Sequence, residues 1–329
     1  VRELATPSAD AVEVVALAAS AVAGRLASGR NGNGRHDNGG SVPAASSFHH
    51  AFDREVSVSA LPCLASHVLH GRAVLPAALM IEWLAHGALH GNPGMVFHGF
   101  DDFKVLKGIV LEPGSSVQVS VQAASAHARE GCLVVPVRLV SQAGERLLIH
   151  ARADILLTDS LPDAPAPAFD VRRNGCTSAV YGDGRLFHGP HFQSIELLET
   201  CSKTEIAASV KGSPAPKHWF ENPLRPGWLA DPLALDASFQ MLILWSCEQR
   251  EAPSLPCAIA RFRQFTPAFP KNGSRVTAQV TSGQSPVAKA DLLFFDRQGS
   301  LLALAQGYEC VVDPGLRDAF RLNCLSLET

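Results

Sequence analysis

The chain has 329 residues, enough for two ordinary domains or one large one. Hydrophobic residues make up 47% and charged residues 18%, a globular balance able to bury a sizeable core. A formal net charge of −3 points away from nucleic acid and acidic membrane surfaces, and no uninterrupted apolar run reaches the length of a membrane span.

In chain order, residues 5–26 are rich in alanine and valine and suit a helix. Residues 28–47 contain GRNGNGRHDNGG, which cannot bury apolar surface and reads as a flexible linker. Its glycines neither follow a strand nor open a helix, so they make no dinucleotide site. We therefore expect residues 1–47 to be an interdomain linker or remnant of a longer polypeptide. Residues 75–90, LPAALMIEWLAHGALH, repeat Leu75, Leu79, Trp83 and Leu84 at helical spacing, with Pro76 in the first turn. Strand-like stretches follow at 117–121, 133–140 and 147–157, the last two joined by an Ala-Gly turn. The Pro-rich segment 159–170 reads as a connector.

The second half repeats this grammar. Residues 231–250 read as a helix with Asp231 as N-cap, Pro232 at N1, and a stripe of Leu235, Phe239, Leu242 and Trp245. Strands are expected at 275–281, 288–295 and 301–312, with a hairpin turn at 296–299. A long helix followed by antiparallel strands, twice over, predicts an α+β fold in which each sheet curls around one helix: a double hotdog. The expected boundaries are 48–158 and 171–315 for the two hotdogs, with 316–329 as a C-terminal tail. The eight cysteines include no C-x-x-C and read as reduced core thiols of a cytoplasmic protein.

Three stretches carry chemistry. In HVLHGRAVLP, residues 67–76, the apolar neighbours Leu64, Val68 and Leu69 desolvate the His67 ring and favour the neutral imidazole a general base needs. A satisfied loop histidine is the alternative. Gly71 permits close backbone approach to a ligand, and the helix opening at Pro76 has no capping side chain, leaving N–H groups for a developing oxyanion. In DASFQ, Asp236 and Gln240 lie one helical turn apart. In an apolar pocket Asp236 would be a proton donor oriented by Gln240; on an open face it would be a solvated carboxylate. In LFHGPHFQ, residues 186–193, Phe187 and Phe192 flank a Gly189-Pro190 turn and suit either an acyl channel or hairpin packing.

Together these stretches resemble the dehydratase domains of polyketide synthases and polyunsaturated-fatty-acid synthase megasynthases. His67, Gly71 and Pro76 match H-x-x-x-G-x-x-x-x-P, and Asp236 and Gln240 match D-x-x-x-Q/H. Gly184, Gly189, Pro190 and Phe192 are matched to G-x-x-Y-G-P-x-F, and Leu255-Pro256 to a downstream Leu-Pro pair. The likeness covers about residues 48 to 313. His188 stands where many modular members have tyrosine, and F-H-G-P-x-F-Q looks more like the iterative branch.

The resemblance implies that His67 removes the α proton of a 3-hydroxyacyl thioester and Asp236 protonates the departing hydroxyl. The supporting residues are Gln240, Gly71, Pro76 and His188; Phe187, Gly189, Pro190, Phe192, Leu255 and Pro256 line the substrate channel. It implies no metal and no cofactor of its own. The substrate would ride on the phosphopantetheine of an acyl carrier protein, with neighbouring synthase domains and a homodimer as partners. Other readings are a product-template-like cyclase, a hotdog thioesterase, or a decayed domain that binds acyl carriers. His86 and His90 at i and i+4 lack a third metal ligand. Arg261, Arg263, Lys271 and Arg275 read as a solvated strand face or a basic patch for an acidic carrier.

Overall fold

Two long buried helices organise the molecule. The computed structural model describes residues 47–175, 177, 179–284 and 286–326. The helix expected near 5–26 and the linker up to residue 46 lie outside the described residues. Helix α1, Ala77–His90, is buried from Ala78 to Leu89. Helix α2, Pro232–Arg250, is buried from Pro232 to Ser246. The predicted stripe on α2 is thus too narrow: the sheet wraps most of the helix, and Asp236, Ser238 and Gln240 are as hidden as the leucines. Ser238 Oγ donates back to the Leu235 carbonyl at 2.6 Å, which satisfies its hydroxyl inside the core.

Around α1 run β1 (Phe48–Val56), β6 (Val117–Ala124), β8 (Cys132–Ala143), β9 (Arg146–Thr158) and β4 (Val96–Val105), in that spatial order. Around α2 run β12 (Ser254–Gln264), β15 (Leu301–Val312), β14 (Val287–Phe295), β13 (Ser274–Gln284), β11 (Glu205–Val210) and β10 (Ile195–Cys201). With β7 (His127–Arg129) beside β8, these make one 12-stranded antiparallel sheet. The small strands β2 (Val68–Leu69), β3 (Arg72–Val74) and β5 (Val110–Leu111) form a separate three-stranded sheet. The fold is α+β, a double hotdog.

The two sheets fuse where β4 pairs with β12, setting Phe100 opposite Phe262 and Asp101 opposite Arg261. The Phe100 and Phe262 rings stack at 5.1 Å across this seam. Arg263 ends on Asp101 at 2.8 Å, and Arg275 on the buried Glu199 at 2.7 Å. The expected basic face is therefore partly consumed by ion pairs. A second link joins the halves through α1. The buried Glu82 carboxylate accepts the backbone N–H of Leu229 and Ala230 at 2.9 and 3.0 Å, and His86 Nε2 at 3.0 Å. His86 is thus Glu82's partner. Cys63, Cys257 and Cys310 are buried free thiols, whereas Cys324 is exposed, so the core reading of the cysteines holds only in part.

Candidate active site

His67 ends a short 3₁₀ turn, Pro62–Ser66, and enters the β2–β3 hairpin. Its Nδ1 lies 2.7 Å from the Val74 carbonyl. A carbonyl only accepts, so Nδ1 carries the proton and Nε2 is bare. Burial holds the ring's pKa down at about 4, against 6.5 for a free imidazole. From the other half, Asp236 sits one turn inside α2, only 3% exposed. Burial raises its carboxyl from 3.8 to about 7, opposed by a hydrogen bond from Gln240. His67, His188 and Asp236 bring one ring-nitrogen or carboxylate atom each within 4.8 Å of one another.

The segment carrying His188 is brought to His67 by a backbone bridge between the two residues. Gly189 makes this possible. Its N–H donates to the Ser66 carbonyl at 2.8 Å, and a Cβ there would meet Ser66 Cα at 3.0 Å. His188 stacks on Phe187 with ring centroids 4.0 Å apart and places Nε2 3.5 Å from Asp236 Oδ2. Its Nδ1 is buried and has no hydrogen-bond partner among the described residues. Desolvation, and then the neighbouring His67, press its pKa well below the usual histidine value.

These groups face one cavity whose walls include Leu75, Met80, Phe187, Phe239, Leu255 and Pro256. The predicted channel is thereby divided. Phe187, Leu255 and Pro256 line it. Phe192 stands behind His67 with ring centroids 5.3 Å apart, Gly189 serves the backbone bridge, and Pro190 opens on a different, outer groove. Gly184 stands one position further from His188 than its motif requires and lies exposed. Gly71 is also outside the cavity. Its φ of +76° suits glycine, but the close neighbour is the C-terminal segment: Ser326 N–H donates to the Gly71 carbonyl at 2.9 Å. Pro76 is the N-cap of α1, just ahead of the first turn in which the sequence placed it, no side chain caps the helix, and the next residue, Ala77, reaches the cavity wall.

Two residues that sequence reasoning passed over belong to this site. Tyr181 donates its hydroxyl to Gln240 Oε1 at 2.7 Å, while Gln240 Nε2 donates to Asp236 Oδ2 at 2.7 Å. Phe320, in the short helix Leu316–Arg321, packs edge-on against Phe187 at 4.7 Å. A signal for Tyr181 existed, since the chain has only two tyrosines. Phe320 carried none.

A family model described as the polyketide synthase dehydratase domain matches residues 39–135. A second, described as the polyketide synthase dehydratase N-terminal domain, matches residues 162–315. One chain of the polyunsaturated fatty acid synthase of Thraustochytrium sp. is 28% identical over 268 residues, covering 79% of this chain and 9% of that protein. A mycocerosic acid synthase-like polyketide synthase of Mycolicibacterium smegmatis is 25% identical over 283 residues, covering 79% of this chain and 12% of its own length. The chain thus spans about a tenth of the curated relatives it matches. Among solved structures, the dehydratase domain from the CurJ module of curacin polyketide synthase overlays with a TM-score of 0.62 at 17% identity, covering 82% of this chain and 92% of that one. The dehydratase domain of PpsC from Mycobacterium tuberculosis, solved in complex with C12:1-CoA, gives 0.60 at 18% identity, covering 80% and 93%. At these identities the structural likeness speaks for the fold.

Proposed function

Because the chain belongs to the polyketide-synthase-type dehydratase domains, we propose that it removes water from a 3-hydroxyacyl thioester to give the α,β-enoyl thioester, with His67 as base and Asp236 as acid. The thioester acidifies the α carbon, and the bare Nε2 of His67 takes that proton. Asp236 gives its proton to the departing hydroxyl, which leaves as water. The uncapped start of α1 at the cavity wall offers backbone N–H groups to the thioester oxygen as negative charge builds there. His188 takes the place of the family tyrosine, with Nε2 3.5 Å from Oδ2, while the hydrogen bond from Gln240 occupies Oδ2 and leaves Oδ1 for the substrate. The acyl chain lies along Leu255, Pro256 and Phe239, presented by the phosphopantetheine of an acyl carrier protein within a polyketide or polyunsaturated-fatty-acid synthase.

The observation that carries this reading is geometric: the His67 imidazole and the Asp236 carboxyl, from separate halves of the chain, face one apolar cavity. Between about pH 4 and 7 His67 is neutral while Asp236 keeps its proton. A thioesterase, which activates water with an ionised carboxylate, gains nothing from that arrangement. The test offers a 3-hydroxyacyl pantetheine thioester and follows product mass. Loss of water supports the proposal, and release of free acid contradicts it. His67→Ala and Asp236→Asn should each slow water loss by about two to four orders of magnitude.

A further inference from the structure

Asp236 is served by a hydrogen-bonded chain whose polarity is fixed at its far end. The backbone N–H of Ile195 donates to the Tyr181 hydroxyl at 2.8 Å. That occupies a lone pair and turns the phenolic proton toward Gln240 Oε1, 2.7 Å away. At the other end of the amide, Gln240 Nε2 donates to the Phe192 carbonyl at 2.8 Å and to Asp236 Oδ2 at 2.7 Å. Both ends agree on one orientation of the amide, because the Phe192 carbonyl can only accept and the phenol has its proton to give.

Resting on the proposed role of Asp236, we infer that Tyr181 is a positioning residue: it locks the Gln240 amide so that an N–H faces Oδ2 and the acid proton of Asp236 is carried on Oδ1. Tyr181 touches no substrate; it acts through Gln240. Its hydroxyl polarises the amide and strengthens the N–H donated to the carboxyl. That donation favours the carboxylate, making Asp236 a stronger acid than burial alone would allow.

The other groups facing Asp236 carry no charge that could supply this effect. His188 and His67 are neutral, and burial pushes the phenols of Tyr181 and of Tyr308, on β15, above their ordinary value. Gln240 is the hydrogen-bond donor on the carboxyl among the described residues.

The test labels aspartate with ¹³C at Cγ and titrates the Asp236 resonance, assigned by its loss in Asp236→Asn, so it reads the relay whether or not the chain dehydrates the offered thioester. Tyr181→Phe removes one hydroxyl and should move the titration upward by about half a pH unit, with a matching rise in the alkaline limb of kcat. It should lower kcat about three- to tenfold and leave KM within about twofold. In a Gln240→Leu background the same substitution should move neither reading further. Should Tyr181→Phe fail to fold, 3-fluorotyrosine at position 181 in a Tyr308→Phe background keeps the ring and strengthens the donor, and the titration should move down. An Asp236 titration that stays put in folded Tyr181→Phe, or in the fluorinated protein, overturns the inference. So does a shift of equal size in the presence and absence of Gln240, which would mark a general structural effect.

Discussion

Asp236→Asn should slow turnover by about two to four orders of magnitude and at the same time stabilise the fold at neutral and alkaline pH. The native carboxyl holds its proton more tightly when folded, its pKa rising from 3.8 to about 7 on burial. The folded state therefore binds more protons than the unfolded one across that window, and this group's contribution falls as pH rises. At about 1.4 kcal/mol per pH unit the ceiling of the loss is about 4 kcal/mol, complete above about pH 7. Asparagine has the same shape, still accepts from Gln240, and has no charge to bury. His67 works in the opposite sense: its folded pKa is depressed to about 4, so its contribution grows as pH rises from about 4 to 6.5. The two slopes oppose each other in the native chain, so the informative quantity is the difference between native and variant. Denaturant unfolding of both proteins between pH 4 and 8 should show the variant gaining on the native chain with rising pH, by several kcal/mol at the upper end. A difference that stays constant across the range would refute the placement of a protonated carboxyl in a buried, apolar setting.

Two further outcomes follow from the packing around the site. Phe320→Ala empties a fully buried position behind Phe187 and should lower stability by about 3–5 kcal/mol in denaturant unfolding; it should also lower kcat by loosening the ring on which His188 stacks. Gly71→Ala places a Cβ at φ +76°, 2.3 Å from Ser326 Oγ. It should lower stability by about 1–2 kcal/mol, a loss that persists when Ser326 is also changed to glycine because the strain lies in the backbone.

What was legible in the sequence was what local patterning controls. Residues 301–312 were read as a strand and form β15 over the same span. Asp231 caps α2 as expected, its carboxylate accepting the Ala234 N–H at 2.9 Å. The turn at 296–299 closes with Gly299 at φ +91°. Two of the strands missed, β4 and β12, have interrupted patterning. In β4, VFHGFDDFKV, polar Asp101 and Asp102 break the alternation because that strand lies at the seam and offers Asp101 to arginines of β12 and β7. Strand β12 holds charged Arg261 and Arg263 for the same reason.

At the site, the sequence named the two reacting groups and Gln240 beside Asp236, and missed the residues that hold them in place from elsewhere in the fold. His67 and Asp236 stand 169 positions apart, and only their apolar neighbours hinted that both are desolvated. Tyr181 and Phe320 act through contacts made by tertiary folding: Tyr181 reaches Gln240 from 59 positions away, and Phe320 reaches Phe187 from the C-terminal helix. Gly71 was placed against a ligand because glycine signals close approach without saying what approaches. Here the neighbour is Ser326.

The most direct test of the account is the ¹⁵N spectrum of His67 at pH 6, assigned against His67→Gln among the 13 histidines. A neutral ring protonated at Nδ1 alone, with Nε2 bare beside a protonated Asp236, is the expected result. A doubly protonated His67 at that pH, or a proton resident on Nε2, would contradict it.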